Sequence, residues 1–348
     1  VNKSNRRLVR TLFKVEVISL LTLNILAGTR FFRTKISPEA QEATASILKT
    51  EKNRIELAIN AHDGMQLSTA MFTTDNPEGI VQILHGATEH KELYYNFAHF
   101  LNNKGYAVII SDLRGHGKTV NNSYPYGHMN SVDEMIDDVY RVNQYAKKIY
   151  PDKPLYIVGH SLGSILARCY LQQHDTEVDK IVMTGTARSI DKTKLGLFIG
   201  NWATFYSGAY NHSKILHLIG GSTIYKASSF EANMVTTDRD LYEKMSADPL
   251  MHFTWTNNGA LTMFEAASDL KQYKKYNVQN PNLEILSLSG TKDPVTGGYM
   301  GLRDTEQTLR KIGYSHISIK QYEEKLHSVL FETNRDTVYQ DVLDFLKK

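Results

Sequence analysis

An apolar run that stops abruptly at Gly-x-Ser-x-Gly and continues at helical spacing restricts this chain more than any other stretch. Leu155-Tyr156-Ile157-Val158 suits a buried strand, and Gly159-His160-Ser161-Leu162-Gly163 follows without a spacer. Ile165, Leu166, Cys169, Tyr170 and Leu171 then carry a helical pattern. A strand that turns at once into a helix strains its turn residue, and glycine on either side removes side chains that would collide there. The Ser161 hydroxyl then projects from the sheet edge, and the Leu162 amide at the helix start faces the same space. A Gly-bracketed turn alone is ordinary. Its weight here comes from the flanking strand and helix and from partners elsewhere in the chain.

Strands and helices alternate on both sides of this stretch. A strand pair spans 54–74, and a buried strand 79–84 ends in His85-Gly86-Ala87-Thr88-Glu89-His90. A helix over 94–104 leads to a strand at 106–111 that ends in Asp112-Leu113-Arg114-Gly115-His116-Gly117-Lys118-Thr119. A helix at 132–149 has acids in its first turn and stops before Pro151. Further strands are predicted at 179–184, 283–289 and 316–322, with helices at 302–312 and 337–346. This rhythm predicts an α/β fold with a mainly parallel central sheet flanked by helices. It breaks after Gly185, where aromatic and aliphatic residues such as Leu197, Phe198, Trp202, Phe205, Tyr206 and Tyr210 accumulate. The expectation is an inserted helical cap over about 187–257.

At 348 residues the chain fits one α/β domain with an insertion, here 54–348. Its formal charge of +3 gives no reason to expect a nucleic-acid partner. The single Cys169 excludes an internal disulfide and any Cys-based zinc site. No His-Glu-x-x-His spacing occurs, so neither a metal nor a cofactor is expected.

Residues 1–35 differ in character. Lys3, Arg6, Arg7, Arg10 and Lys14 precede an uncharged, mostly aliphatic run from Val17 to Thr29, and Arg30, Arg33 and Lys35 follow it. The run is short for a membrane span, and extending it toward Leu8 takes in Glu16. It is read first as a membrane-associating segment meeting a bilayer surface through 8–28, which makes the expected location membrane-associated. A cleaved signal peptide, with Ala27-Gly28 as a poor cleavage site, would instead give a secreted protein. A helix packed on the protein's own surface would suit a cytoplasmic protein. Residues 36–53 read as a linker or peripheral helix.

A serine needs a base within hydrogen-bond reach, itself oriented by an acid. In a parallel sheet these partners come from loops at the strand C-termini, where Ser161 lies. Asp293 follows the strand ending at Ser289, and His327 follows the strand ending at Tyr322. His316 falls at a strand start, Asp304 in a helix and Asp112 on an earlier strand, so the expected set is Ser161, Asp293 and His327. The second oxyanion donor is expected at Ala87, where Gly86 lets the backbone turn. Glu89 and His90 are expected to brace that loop, and Arg114 to Gly117 to hold neighbouring loops.

With these residues in view, the chain resembles the α/β-hydrolase superfamily, and within it the monoacylglycerol lipases and bacterial lysophospholipases. His85 to His90 is similar to that group's oxyanion loop, Asp112 to Thr119 to its Asp-x-Arg-Gly-His-Gly-x-Ser element, and Asp248-Pro249-Leu250 to the segment closing its cap. The resemblance implies hydrolysis of a carboxylic ester of a single-acyl-chain lipid through an acyl-enzyme. The same framework carries aminopeptidases, which would use cap acids such as Glu231, Asp238, Asp240 and Glu243 to hold an ammonium group. A non-catalytic interaction protein is the third reading, and it usually shows as a lost catalytic residue. Two departures stand out: Leu326 and Ser328 flank His327 where bacterial members often have Arg and Glu, and Ser164 replaces a glycine, which crowds the helix start. Oligomeric state is not legible.

Overall fold

The computed structural model describes residues 43–189, 193–216 and 230–348. Among these residues nine strands form one sheet: β1 (Ala45–Glu51), β2 (Arg54–Asn60), β3 (Gln66–Phe72), β4 (Ile80–Leu84), β5 (Ala107–Ser111), β6 (Leu155–His160), β7 (Lys180–Thr184), β8 (Glu284–Gly290) and β9 (Ile317–Tyr322). Their order is β1-β2-β3-β5-β4-β6-β7-β8-β9. The first three strands and the β3–β5 pair are antiparallel, and every pairing from β5 through β9 is parallel. This is the mostly parallel, helix-flanked sheet expected from the alternation of elements.

Helices α1 (Tyr95–Asn103), α2 (Val132–Ile149) and α3 (Leu162–Tyr170) follow β4, β5 and β6. Between β7 and β8 the chain carries α4 (Thr193–Ser207), α5 (Arg239–Ala247) and α6 (Asn257–Asp269). Helices α7 (Gly298–Ile312) and α8 (Arg335–Lys347) complete the fold. Alternate residues of the central strands feed two separate cores, because strand side chains point to opposite faces. Ile157 joins Met135, Val139, Leu166 and Leu309 on the face covered by α2, α3 and α7. Val158 joins Phe97, Leu101, Val342 and Leu346 on the face covered by α1 and α8. β5 lies on one side of β4 and β6 on the other, so the chain reverses direction across the sheet at β4 and β6. Ligands of open α/β sheets bind at such a switch point.

The described part of the inserted region carries helices, as expected. Helix α4 packs closely on α6: a Cβ added at Gly196 would lie 2.5 Å from the Phe264 ring, and one at Gly200 would lie 2.9 Å from Leu261. The opposite side of α4 leaves Phe205 and Tyr206 exposed.

Two expectations are corrected. Residues 45–51 form β1 rather than a linker or helix, pairing antiparallel with β2 along its length. The strand is the sheet edge and is solvated on both faces, with Ile47 and Leu48 exposed, so no apolar alternation marks it. The second correction concerns a membrane surface as partner and a membrane-associated location. Among the described residues no helix is long and apolar enough to cross a bilayer. Residues 1–35, with the 8–28 surface inside them, lie outside the described residues, and the assignment is withdrawn.

Candidate active site

Ser161 sits between β6 and α3 with φ 50° and ψ −112°, a conformation that strains a residue with a side chain. The neighbouring glycines are required by contact. A Cβ at Gly159 would lie 2.4 Å from the Gly163 carbonyl oxygen, and one at Gly163 would lie 2.0 Å from that of Leu84. The Ser161 amide donates to the Thr184 carbonyl at 3.0 Å. Ser164 does not crowd this turn: its hydroxyl donates to the Ser161 carbonyl at 2.7 Å and accepts the Ala187 amide at 3.2 Å.

The loops after β8 and β9 bring Asp293 and His327 to the same place. Gly290 allows the two loops to meet, because a Cβ there would lie 2.0 Å from the Lys325 carbonyl oxygen. The Thr291 amide donates to the Tyr322 carbonyl and the Lys292 amide to that of Lys325, both at 3.0 Å. His327 Nε2 lies 2.8 Å from Ser161 Oγ, and His327 Nδ1 lies 2.9 Å from Asp293 Oδ2. The other Asp293 oxygen accepts the Val295 amide at 2.8 Å. Burial pushes the Asp293 carboxyl up, but His327 and the Val295 amide outweigh it and hold the group below its usual range. An ionised acid, an imidazole and a hydroxyl thus form one buried relay, in the order that nucleophilic catalysis by serine needs.

Ala87 lies in the loop after β4, beside the Ser161 turn across the β4–β6 pair. That loop is braced as expected. Glu89 Oε2 accepts the Gly86 amide at 2.7 Å and the Tyr94 hydroxyl at 2.5 Å, and His90 Nε2 pairs with Asp248 Oδ2 at 2.9 Å. The Leu113 amide donates to His85 Nε2 at 2.9 Å, so the proton is on Nδ1, which donates to the Gly86 carbonyl at 2.8 Å. Burial keeps His85 neutral by lowering its pKa. Leu162, the other expected donor, is the first residue of α3.

Arg114 to Gly117, expected to hold neighbouring loops, is joined in that bracing by Asp112 just before it. Asp112 accepts the Lys91 amide at 2.7 Å, the Lys91 ammonium at 3.1 Å and the Lys118 amide at 2.8 Å. Arg114 bridges Asp63, in the β2–β3 turn, to Asp138 on α2. His62 stands near Asp63, Glu134, Asp137 and Asp138, but Arg114 already engages the carboxylates of Asp63 and Asp138.

Sequence reasoning missed His160 and Glu332. His160, fully buried, places Nε2 3.2 Å from the Ser328 hydroxyl and 3.6 Å from Glu89, with its ring 4.9 Å from that of His327. Burial lowers its pKa to about 4, against the pull of Glu89. Its place inside Gly-x-Ser-x-Gly was the available signal. Ser328, one of the departures noted above, is therefore a partner of His160.

The fold and the buried serine–histidine–aspartate arrangement define a serine hydrolase of the α/β-hydrolase class. The chain belongs to the family described as "Serine aminopeptidase, S33", whose model matches residues 75–334. It is 22% identical to a monoacylglycerol lipase of Mycolicibacterium smegmatis over 81% of this chain and 93% of that one. It is 23% identical to a mouse monoglyceride lipase over 85% of this chain and 94% of that one. A thermostable carboxyl esterase from Bacillus coagulans, solved with glycerol, shares its fold with a TM-score of 0.76 at 23% identity, covering 85% of this chain and 99% of that one.

Proposed function

We propose that the protein hydrolyses a carboxylic ester of a single-acyl-chain lipid, a monoacylglycerol or lysophospholipid, with Ser161, His327 and Asp293 as catalytic residues. The observation that carries the catalytic part is the continuous hydrogen-bonded path from Ser161 Oγ through His327 to Asp293. Ser161 Oγ attacks the ester carbonyl carbon while His327 Nε2 takes its proton, and Asp293 stabilises the resulting imidazolium. The amides of Ala87 and Leu162 hold the developing oxyanion. The intermediate collapses as His327 returns the proton to the leaving alcohol oxygen, which leaves the acyl group on Ser161. Water then attacks the acyl-enzyme with His327 as base, releasing the fatty acid.

The lipid part rests on likeness to relatives described as monoacylglycerol and monoglyceride lipases, with support from the exposed aromatic side of α4. On this reading residues 187–257 form a cap that receives the acyl chain. The peptidase reading shares the family description and needs carboxylates free to hold an ammonium group. Of the acids expected to do so, Glu231 pairs with Arg239 at 2.9 Å and Asp238 with Arg335 at 2.8 Å. These contacts occupy two of the four acids and leave Asp240 and Glu243, the latter 4.0 Å from Arg239, as those a peptidase would use.

The test is fatty-acid release from a monoacylglycerol and amine release from an aminoacyl amide, each by wild type and Ser161→Ala. The account expects the first activity, and expects it to fall by several orders of magnitude in the variant. Amine release without fatty-acid release would replace the ester reading with the peptidase one.

A further inference from the structure

Glu332 is a fully buried carboxylate that the proposed relay does not use. It lies between the 3-10 turn Val329–Phe331 that follows His327 and helix α8. Its Oε1 accepts the Leu326 amide at 2.9 Å, immediately before His327, and the Thr237 amide at 3.1 Å. Its Oε2 accepts the Thr237 amide at 3.1 Å, the Thr333 amide at 3.3 Å and the Thr237 hydroxyl. The Lys325 ammonium stands 3.8 Å away. One carboxylate therefore grips the loop that carries His327 and a segment of the inserted region.

The two segments are joined directly as well. The His327 amide donates to the Met234 carbonyl at 3.0 Å, and the Ser328 amide donates to that of Val235 at 2.8 Å. Thr236 donates its hydroxyl to the Phe331 carbonyl at 2.8 Å. Asp238, which ends the segment, caps α5 through the Leu241 amide and pairs with Arg335 of α8. Residues 233–238 thus lie along the base loop as a backbone splint, and Glu332 closes it. Several amides converging on one buried carboxylate resist the small displacements that misalign a catalytic group.

We propose that Glu332 is a positioning residue: it fixes the 233–238 segment of the inserted region to the base loop, and so sets the alignment of His327 with Ser161. The proposal rests on the reading of His327 as the base. It makes the inserted region part of the catalytic alignment as well as a cover. A movement of residues 233–238 would be transmitted to His327 through Met234, Thr237 and Glu332.

The experiment compares wild type, Glu332→Gln and Thr237→Val by two readouts: the rate of Ser161 labelling with a fluorophosphonate, and kcat and KM for a monoacylglycerol. Glutamine presents an N–H group where the carboxylate accepts amides. Expected for Glu332→Gln is a fall of about 10- to 100-fold in kcat and in labelling rate, with KM within about threefold. Thr237→Val, which removes the hydroxyl that donates to Glu332 and accepts the Lys325 ammonium, should give the same pattern at about 3- to 10-fold. A purely structural Glu332 would lower the melting temperature while leaving kcat and the labelling rate per folded molecule unchanged, and that result overturns the proposal. If Glu332→Gln does not fold, unchanged labelling of Thr237→Val overturns it. Failure of the wild type to label at Ser161 overturns the relay itself and this proposal with it, which separates the two.

Discussion

Glu89 accepts the backbone amide of Gly86 at 2.7 Å, so a buried carboxylate shapes the turn from which the Ala87 amide would face an oxyanion. The same oxygen takes the Tyr94 hydroxyl. Glu89→Ala should therefore lower kcat by about 100-fold, the scale of losing one oxyanion donor. Tyr94→Phe should cost about 1 kcal/mol of stability with a smaller loss of rate. Steady-state kinetics beside denaturant unfolding separates the two effects.

On the proposed mechanism, Asp293→Asn keeps the shape of the relay and removes the charge that would orient and stabilise the His327 imidazolium. The expected outcome is a kcat lower by about 10³- to 10⁴-fold with a near-native denaturation midpoint. A loss under tenfold would mean that another acid orients His327.

Gly163→Ala places a methyl group 2.0 Å from the Leu84 carbonyl oxygen, where backbone meets backbone and neither side can yield cheaply. The variant should lose about 3 kcal/mol or more of stability and most of its activity. Ser164→Gly removes the hydroxyl that reaches the Ser161 carbonyl, and should cost about 1 kcal/mol.

His160 supplies a pH dependence of stability. Burial holds its folded-state pKa at about 4, below the ordinary value of 6.5, so between these values the unfolded chain binds a proton that the folded protein does not. Its contribution is complete above about pH 6.5 and is lost as pH falls toward 4, on the order of 3 kcal/mol. Unfolding free energy measured from pH 7 to 4 should decline more steeply for wild type than for His160→Gln. Parallel curves would contradict this.

What the sequence makes legible follows from how local each signal is. Ser161 is marked by its own neighbours, and Asp293 and His327 by their position just past strand ends, which a parallel sheet gathers at one edge. Edge strand β1 is not legible, because solvent on both faces removes the alternation that identifies a strand. The Glu332–Thr237 contact is not legible either, since it joins an ordinary surface-type residue to one 95 positions away. His160 hides inside the motif that identifies Ser161, and only its burial beside Glu89 and Ser328 reveals a role.

The most direct test of the relay is the site and rate of covalent labelling by a fluorophosphonate, read by mass spectrometry of the intact protein and its peptides. The account predicts a single adduct on Ser161, forming at least about 100-fold more slowly in His327→Ala. An adduct on another residue, or labelling of Ser161 at the same rate without His327, would contradict it.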